Sequence, residues 1–177
     1  MGKIDLLVKE YEKHARLPWA TGIAGPQKVW FVVYPPDQER RLRCRLQEFG
    51  TATLRAGHRW ASCDLTNAFA EWMAAQEYRE SYFEAPDDLE YALRDFHEYV
   101  AGLIKTILAA EDDSTVIGIY GVASLFGFMK VSELMEAVAS SISGRLVVFF
   151  PGEHEGTNYR LLDARDGWNY LAVPITV

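Results

Sequence analysis

The chain has 177 residues, of which 49% are apolar and 24% charged, with a net charge of −7. This profile excludes a disordered chain, and the length suits one domain with its own core. The acidic balance argues against a non-specific nucleic-acid coat or an anionic-membrane binder, and the two cysteines, Cys44 and Cys63, can build neither a disulfide framework nor a zinc ribbon.

Residues 3–16 place Ile4, Leu7, Val8 and Tyr11 at helical spacing, which predicts an amphipathic first helix. Residues 17–27 hold Pro18, Gly22, Gly25 and Pro26 and read as a linker. Val29-Trp-Phe-Val-Val-Tyr34 is an unbroken apolar run, the pattern of a strand buried on both faces. Pro35 and Pro36 end it, and Asp37 is placed to cap a helix on Leu42, Leu46, Phe49 and Thr53 that runs to Gly57.

A second strand is expected from His58 to Leu65, with Asp64 or Thr66 capping a helix that holds Phe69, Trp72 and Met73. Residues 77–85 are polar and aromatic and fit no single period. Pro86 opens a long helix with Leu89, Leu93, Phe96, Val100, Ile104 and Leu108 on one side. Thr115-Val-Ile-Gly-Ile-Tyr120 reads as a third strand, followed by a glycine-punctuated loop at 121–127. Ser132 caps a short helix that Gly144 closes. Arg145-Leu-Val-Val-Phe-Phe150 reads as a fourth strand ended by Pro151 and Gly152. Beyond Asn158, two short strand-like pieces flank the Asp-Gly turn signal at Asp166 and Gly167.

Alternating strands and helices imply an α/β fold. The expectation is a three-layer sandwich with a mostly parallel central sheet of four to five strands and helices on both faces. Residues 1–177 are read as one domain, with an N-terminal helix and linker at 1–27 and a C-terminal strand or hairpin segment at 158–177. No segment approaches the ~18 consecutive apolar residues of a membrane span, and the start lacks a signal peptide's apolar core. A cytoplasmic protein is expected.

Ligands of open parallel sheets bind at the carboxyl ends of the strands. Those ends carry Asp37, Asp64, Thr66, Ser124 and Glu153, which are the candidates for a small-ligand pocket. Helix capping is the plainer role for the first three. No phosphate loop is present: two prolines and Asp37 follow the first strand, and Phe128 stands where 121–127 would need a lysine. Ser124 lacks the flanking glycines of a nucleophile elbow. The four histidines form no recognised metal spacing, and Glu153-His154-Glu155 beside Asp163 and Asp166 is the pattern of an ordinary acidic turn. No catalytic residue, cofactor or metal is therefore expected.

Charge is uneven. Residues 28–59 carry a net +4 that includes Arg40, Arg41, Arg43 and Arg45, whereas residues 77–100 carry a net −6. The arginines read as a solvated helix face with Glu39 and Glu48 as partners, and direct nucleic-acid binding is not expected. Aromatic residues make up 13% of the chain and gather at 78–99 and 149–170.

Several strings together carry a resemblance. They are Tyr34-Pro-Pro-Asp-Gln-Glu-Arg-Arg-Leu42, Asp64-Leu-Thr-Asn-Ala-Phe-Ala-Glu-Trp72, Gly121-Val-Ala-Ser-Leu-Phe-Gly-Phe128, Phe149-Phe-Pro-Gly-Glu153 and Asn158-Tyr-Arg-Leu-Leu-Asp-Ala-Arg-Asp-Gly-Trp-Asn-Tyr170. The chain resembles the BrxB family of BREX bacteriophage-defence systems over about residues 28–175. The resemblance implies a small cytoplasmic protein encoded beside a large ATPase, a DNA methyltransferase and a PglZ-type alkaline-phosphatase-like protein. It implies a non-enzymatic component whose expected partner is the PglZ-type protein, and it carries no catalytic residue over. Candidate contacts for such a partner are Tyr159, Arg160, Arg165, Trp168 and Tyr170 in the tail, with Tyr82 and Phe83 in the acidic stretch. The tail aromatics can equally pack inward over the last strand.

Overall fold

Val29–Tyr34 (β1) is buried at every position. A strand with no polar alternation needs helices over both faces. Trp30, Val32 and Tyr34 join one apolar cluster, and Val29, Phe31 and Val33 join the other. Over the first face lie Lys3–Ala15 (α1), Glu39–Cys44 (α2) and Leu46–Arg55 (α3), which contribute Leu7, Tyr11, Leu42 and Phe49. Over the second lie Ala68–Ala74 (α4), Leu93–Ala110 (α6) and Val131–Val138 (α7), which contribute Trp72, Phe96, Ile104 and Leu134. Arg79–Glu84 (α5) has no buried residue. The computed structural model describes residues 1–164 and 167–177.

β1 pairs in parallel with Arg145–Glu155 (β4) on one side and Val173–Ile175 (β7) on the other. β4 continues in parallel to Thr115–Tyr120 (β3), and β3 to Arg59–Asp64 (β2). The resulting order is β2-β3-β4-β1-β7. Asn158–Leu161 (β5) then folds back antiparallel on the end of β4 and pairs with Trp168–Asn169 (β6). The fold is α/β as expected, but the sheet is mixed and has seven strands, not a mostly parallel four to five.

The difference begins at Pro151 and Gly152, which do not end β4. Pro151 loses only a donor, and its carbonyl accepts the Leu162 N–H at 2.9 Å. Gly152 is needed because a Cβ there would lie 2.1 Å from the Arg160 carbonyl oxygen of β5. β4 therefore switches neighbours at these two residues and carries the C-terminal segment over the core.

Three helices also differ from expectation. The segment after Pro36 breaks at Arg45, where φ is −118° and ψ 8°, so α2 and α3 are separate. The long helix starts at Leu93, after a 3₁₀ segment over Pro86–Ala92. Ser132 does not cap α7; it is buried inside it, and Lys130 stands at the cap.

Candidate functional site

Asp64, Thr66 and Ser124 come together at the carboxyl ends of β2 and β3. Asp64 Oδ1 accepts the Thr66 N–H at 2.9 Å and also the Thr66 hydroxyl. Neither residue caps α4, whose cap position is Asn67. Arg43 Nη2 donates to Thr66 Oγ1 at 2.9 Å, Arg43 Nε donates to Glu39 Oε1 at 2.7 Å, and the guanidinium sits 5.7 Å from the centre of the Tyr120 ring. Tyr34 donates its hydroxyl to the other Glu39 oxygen. Burial, then that Glu39 carboxylate, push the Tyr34 hydroxyl well above its ordinary range. The chain Tyr34–Glu39–Arg43–Thr66–Asp64 ties the end of β1 and the helix α2 to the end of β2 and the loop that follows it. It was not legible in the sequence, because Tyr34 reads as a core residue and Arg43 as a surface one.

Ser124 Oγ shares its proton between the carbonyls of Leu65, at 2.8 Å, and Gly121, at 2.7 Å. It fastens the loop after β3 to the loop after β2. Asp37 stands apart, exposed in the 3₁₀ segment Pro36–Gln38, and caps nothing. Glu153 belongs to a separate groove of about 600 Å³ at the ends of β1 and β4. Lys3, Pro35, Pro36, His154 and Arg160 line that groove with it. Glu153 is paired there with Arg160, and His154 Nε2 hydrogen-bonds the Gly156 carbonyl. The five strand-end candidates thus occupy three places: Asp64, Thr66 and Ser124 together, and Asp37 and Glu153 each apart. Among the described residues, no three His, Cys, Asp or Glu side chains converge as a metal-sized group.

The tail aromatics face inward. Tyr159 and Tyr170 are buried, and Phe31 meets Tyr159 edge-on at 4.6 Å and Tyr170 at 6.0 Å. Burial pushes both tyrosine hydroxyls up to about 12. Both are thereby withdrawn from surface contact. Trp168 is half-buried against Tyr159, and Arg160 is exposed. Arg165 lies outside the described residues, as does Asp166. Tyr82 is half-buried against the core, whereas Phe83 is 64% exposed. Two neighbours that the sequence reading did not single out are more exposed still: Tyr78 at 66% and Tyr91 at 88%.

The charge asymmetry acquires a structural meaning. The basic stretch is largely spent on carboxylates of the same chain. Arg41 reaches Asp5 at 3.7 Å, Arg45 meets Asp5 and Glu48, and Arg55 holds Glu12 at 2.8 Å. The Arg45 guanidinium holds the Glu48 carboxyl below its ordinary range. The acidic stretch is not balanced in this way. Its ion pairs among the described residues are Arg79 with Glu80 and Arg94 with Glu98. Glu77, Glu84, Asp87, Asp88, Glu90 and Asp95 have no ion-pair partner among the described residues and share their segment with the exposed aromatics.

A second cluster, also missed in the sequence, sits at the opposite end of the sheet. Arg145 is buried and donates to the carbonyls of Gly144 and Ala20, each at 3.0 Å. Its guanidinium lies 4.7 Å from the centre of the Trp19 ring, on which His58 stacks at 3.7 Å.

These features define an open-sheet α/β protein whose strand-end polar groups bind one another and whose exposed aromatics lie on an acidic crossover. The family model described as BREX protein BrxB matches residues 62–175, and the chain belongs to that family. It is a component of BREX phage defence. No curated protein and no solved structure matches it. Among the described residues, no helix is long and apolar enough to cross a membrane.

Proposed function

We propose that this chain is a non-catalytic adaptor of a BREX complex and binds another protein of the system, such as the PglZ-type alkaline-phosphatase-like protein. The observation that carries this reading is the exposure of Tyr78, Phe83 and Tyr91 on a segment of unbalanced negative charge. Large aromatic side chains are the usual anchors of protein interfaces. Surrounding charge steers encounter with a partner of opposite sign. The adaptor's partner would present apolar pockets rimmed by lysine and arginine. A non-catalytic role is also supported at the strand ends, where Ser124 and Arg43 both donate to the loop after β2 and Asp64 accepts from Thr66 of that same loop.

Co-expression with the cognate PglZ-type protein, followed by gel filtration, tests this reading. Co-elution is expected, weakening as salt is raised. The double substitution F83A and Y91A is expected to lower affinity at least tenfold while leaving the melting temperature unchanged. Separate elution from every neighbouring BREX protein overturns the adaptor role.

A second reading is a small-ligand binding domain without hydrolytic activity. The groove of about 600 Å³ beside Lys3, His154 and Arg160 favours it. A thermal-shift panel of nucleotides and divalent ions tests it, and a flat response sinks it.

A further inference from the structure

We propose that β2 is a homodimerisation edge, on which two copies of this chain pair their β2 strands antiparallel with Ser62 at the two-fold axis. The inference is independent of the adaptor reading, because it concerns a different part of the molecule.

β2 is an end strand of the sheet and, among the described residues, pairs only with β3. Arg59 N–H donates to Ser114 at 3.1 Å and Leu65 N–H donates to Tyr120 at 2.9 Å. Strand backbones alternate sides with period two. Arg59, Ala61, Cys63 and Leu65 therefore point their backbone groups at β3. Trp60, Ser62 and Asp64 point theirs outward, where no described residue bonds them.

The middle of this edge is unguarded. Natural sheets blunt such edges with charged side chains, proline, a bulge or a covering segment. β2 has no proline or lysine, its charges Arg59 and Asp64 stand at its two ends, and its middle positions are the small Ala61 and Ser62. Its large apolar side chain, Trp60, turns inward over Gly118. The opposite edge is treated differently: β7 is short and carries Pro174. A two-fold pairing of β2 with itself uses up that edge on both copies, so it closes at two copies instead of growing into a fibre.

Geometry fixes the register. In an antiparallel pair, residues with outward backbone groups must face each other. The register that uses all of them places Ser62 against Ser62 of the second copy, and Trp60 against Asp64. Each such pair exchanges two N–H···O bonds. Charge agrees with this arrangement. The Arg59 end of one strand lies against the Asp64 end of the other. The two Asp64 residues are separated by four strand positions, about 13 Å, beyond the screening length of about 8 Å at physiological salt.

Sedimentation equilibrium across a wide concentration range tests the proposal. Wild type is expected at twice the 20.1 kDa chain mass. S62P removes an outward donor that the isolated fold does not use, and is expected to raise the dissociation constant at least tenfold with unchanged circular dichroism. S62C in a C44S background does not depend on the proline variant folding. A hydrogen-bonded antiparallel pair has its Cα atoms about 5.5 Å apart, within disulfide reach, so S62C is expected to oxidise to a covalent dimer. Three results overturn the proposal. They are a wild-type monomer at all concentrations, a dimer in which S62C stays uncrosslinked, and protection of the Ser62 amide only after another protein is added.

Discussion

The Trp60 ring lies so close over Gly118 that a Cβ on Gly118 would stand 2.4 Å from Trp60 Cη2. The indole of an edge strand is thereby stored beneath its neighbour, and the glycine in the middle of β3 is the space that admits it. Gly118→Ala is expected to destabilise the fold by about 1–3 kcal/mol, the usual cost of overpacking. Calorimetry should show a lower melting temperature, and Trp60 fluorescence should shift as the ring moves outward. An unchanged melting temperature would contradict this packing.

Tyr11 and Thr53 supply a second test through the order of their bonds. Thr53 Oγ1 donates to the Phe49 carbonyl at 2.8 Å, so the Tyr11 hydroxyl must donate to Thr53, at 2.5 Å. Tyr11→Phe removes a donor and leaves Thr53 satisfied, at a cost of about 0.5–1.5 kcal/mol. Thr53→Val leaves a buried tyrosine hydroxyl without its acceptor, at about 1–3 kcal/mol. Urea denaturation of the two variants should rank them in that order.

Stability is expected to depend on pH through His14 and His58. Burial, and secondarily the Arg145 charge, hold His14 below its ordinary value; burial does most of the same for His58. A histidine depressed in the folded state binds its proton first in the unfolded chain. Its contribution is therefore fully present above the ordinary value of about 6.5 and is lost as pH falls below it. Urea midpoints should fall between about pH 7 and pH 5, above the range where carboxylates begin to titrate. Arg145→Gln should make that fall shallower. It should also lower stability overall, because the guanidinium is the donor for two carbonyls.

The tail offers a contrast between a core residue and its exposed neighbour. Tyr159 is fully buried against Phe31, Phe150 and Trp168. Tyr159→Ala is expected to cost about 3–5 kcal/mol. Arg160→Ala removes only an exposed pair with Glu153 and should stay within about 1 kcal/mol. Thermal melts of the two variants would show whether this segment is core or surface.

The strands were more legible in the sequence than the site. β1 and β3 begin and end where their apolar runs do, because a strand covered on both faces has no polar alternation to blur it. β4 was cut short because Pro151 and Gly152 carry the same signals whether a strand ends or changes neighbours. What distinguishes the two cases is the carbonyl of Arg160, which arrives from another strand. Tyr159 and Tyr170 had two open roles for the same reason: an aromatic in a turn-rich tail packs inward or outward according to what lies beneath it. Phe31, on a distant part of the chain, decides that. The Arg43 network was hidden by distance too, since Glu39, Thr66 and Tyr120 meet only when the strand ends align.

The pairing of β1 with β4 and β7 has a consequence for biosynthesis. β1 is the most apolar strand and is made early, yet both its neighbours lie about 110 residues or more further along the chain. At typical elongation rates it leaves the ribosome on the order of 10 s before either can cover it. The first helix can shelter one of its faces in that time, but not its edges. Long-range parallel pairing of this kind also folds slowly. The nascent chain therefore has a window in which Val29–Tyr34 is the segment most open to aggregation, and a chaperone that acts on this protein should engage it there.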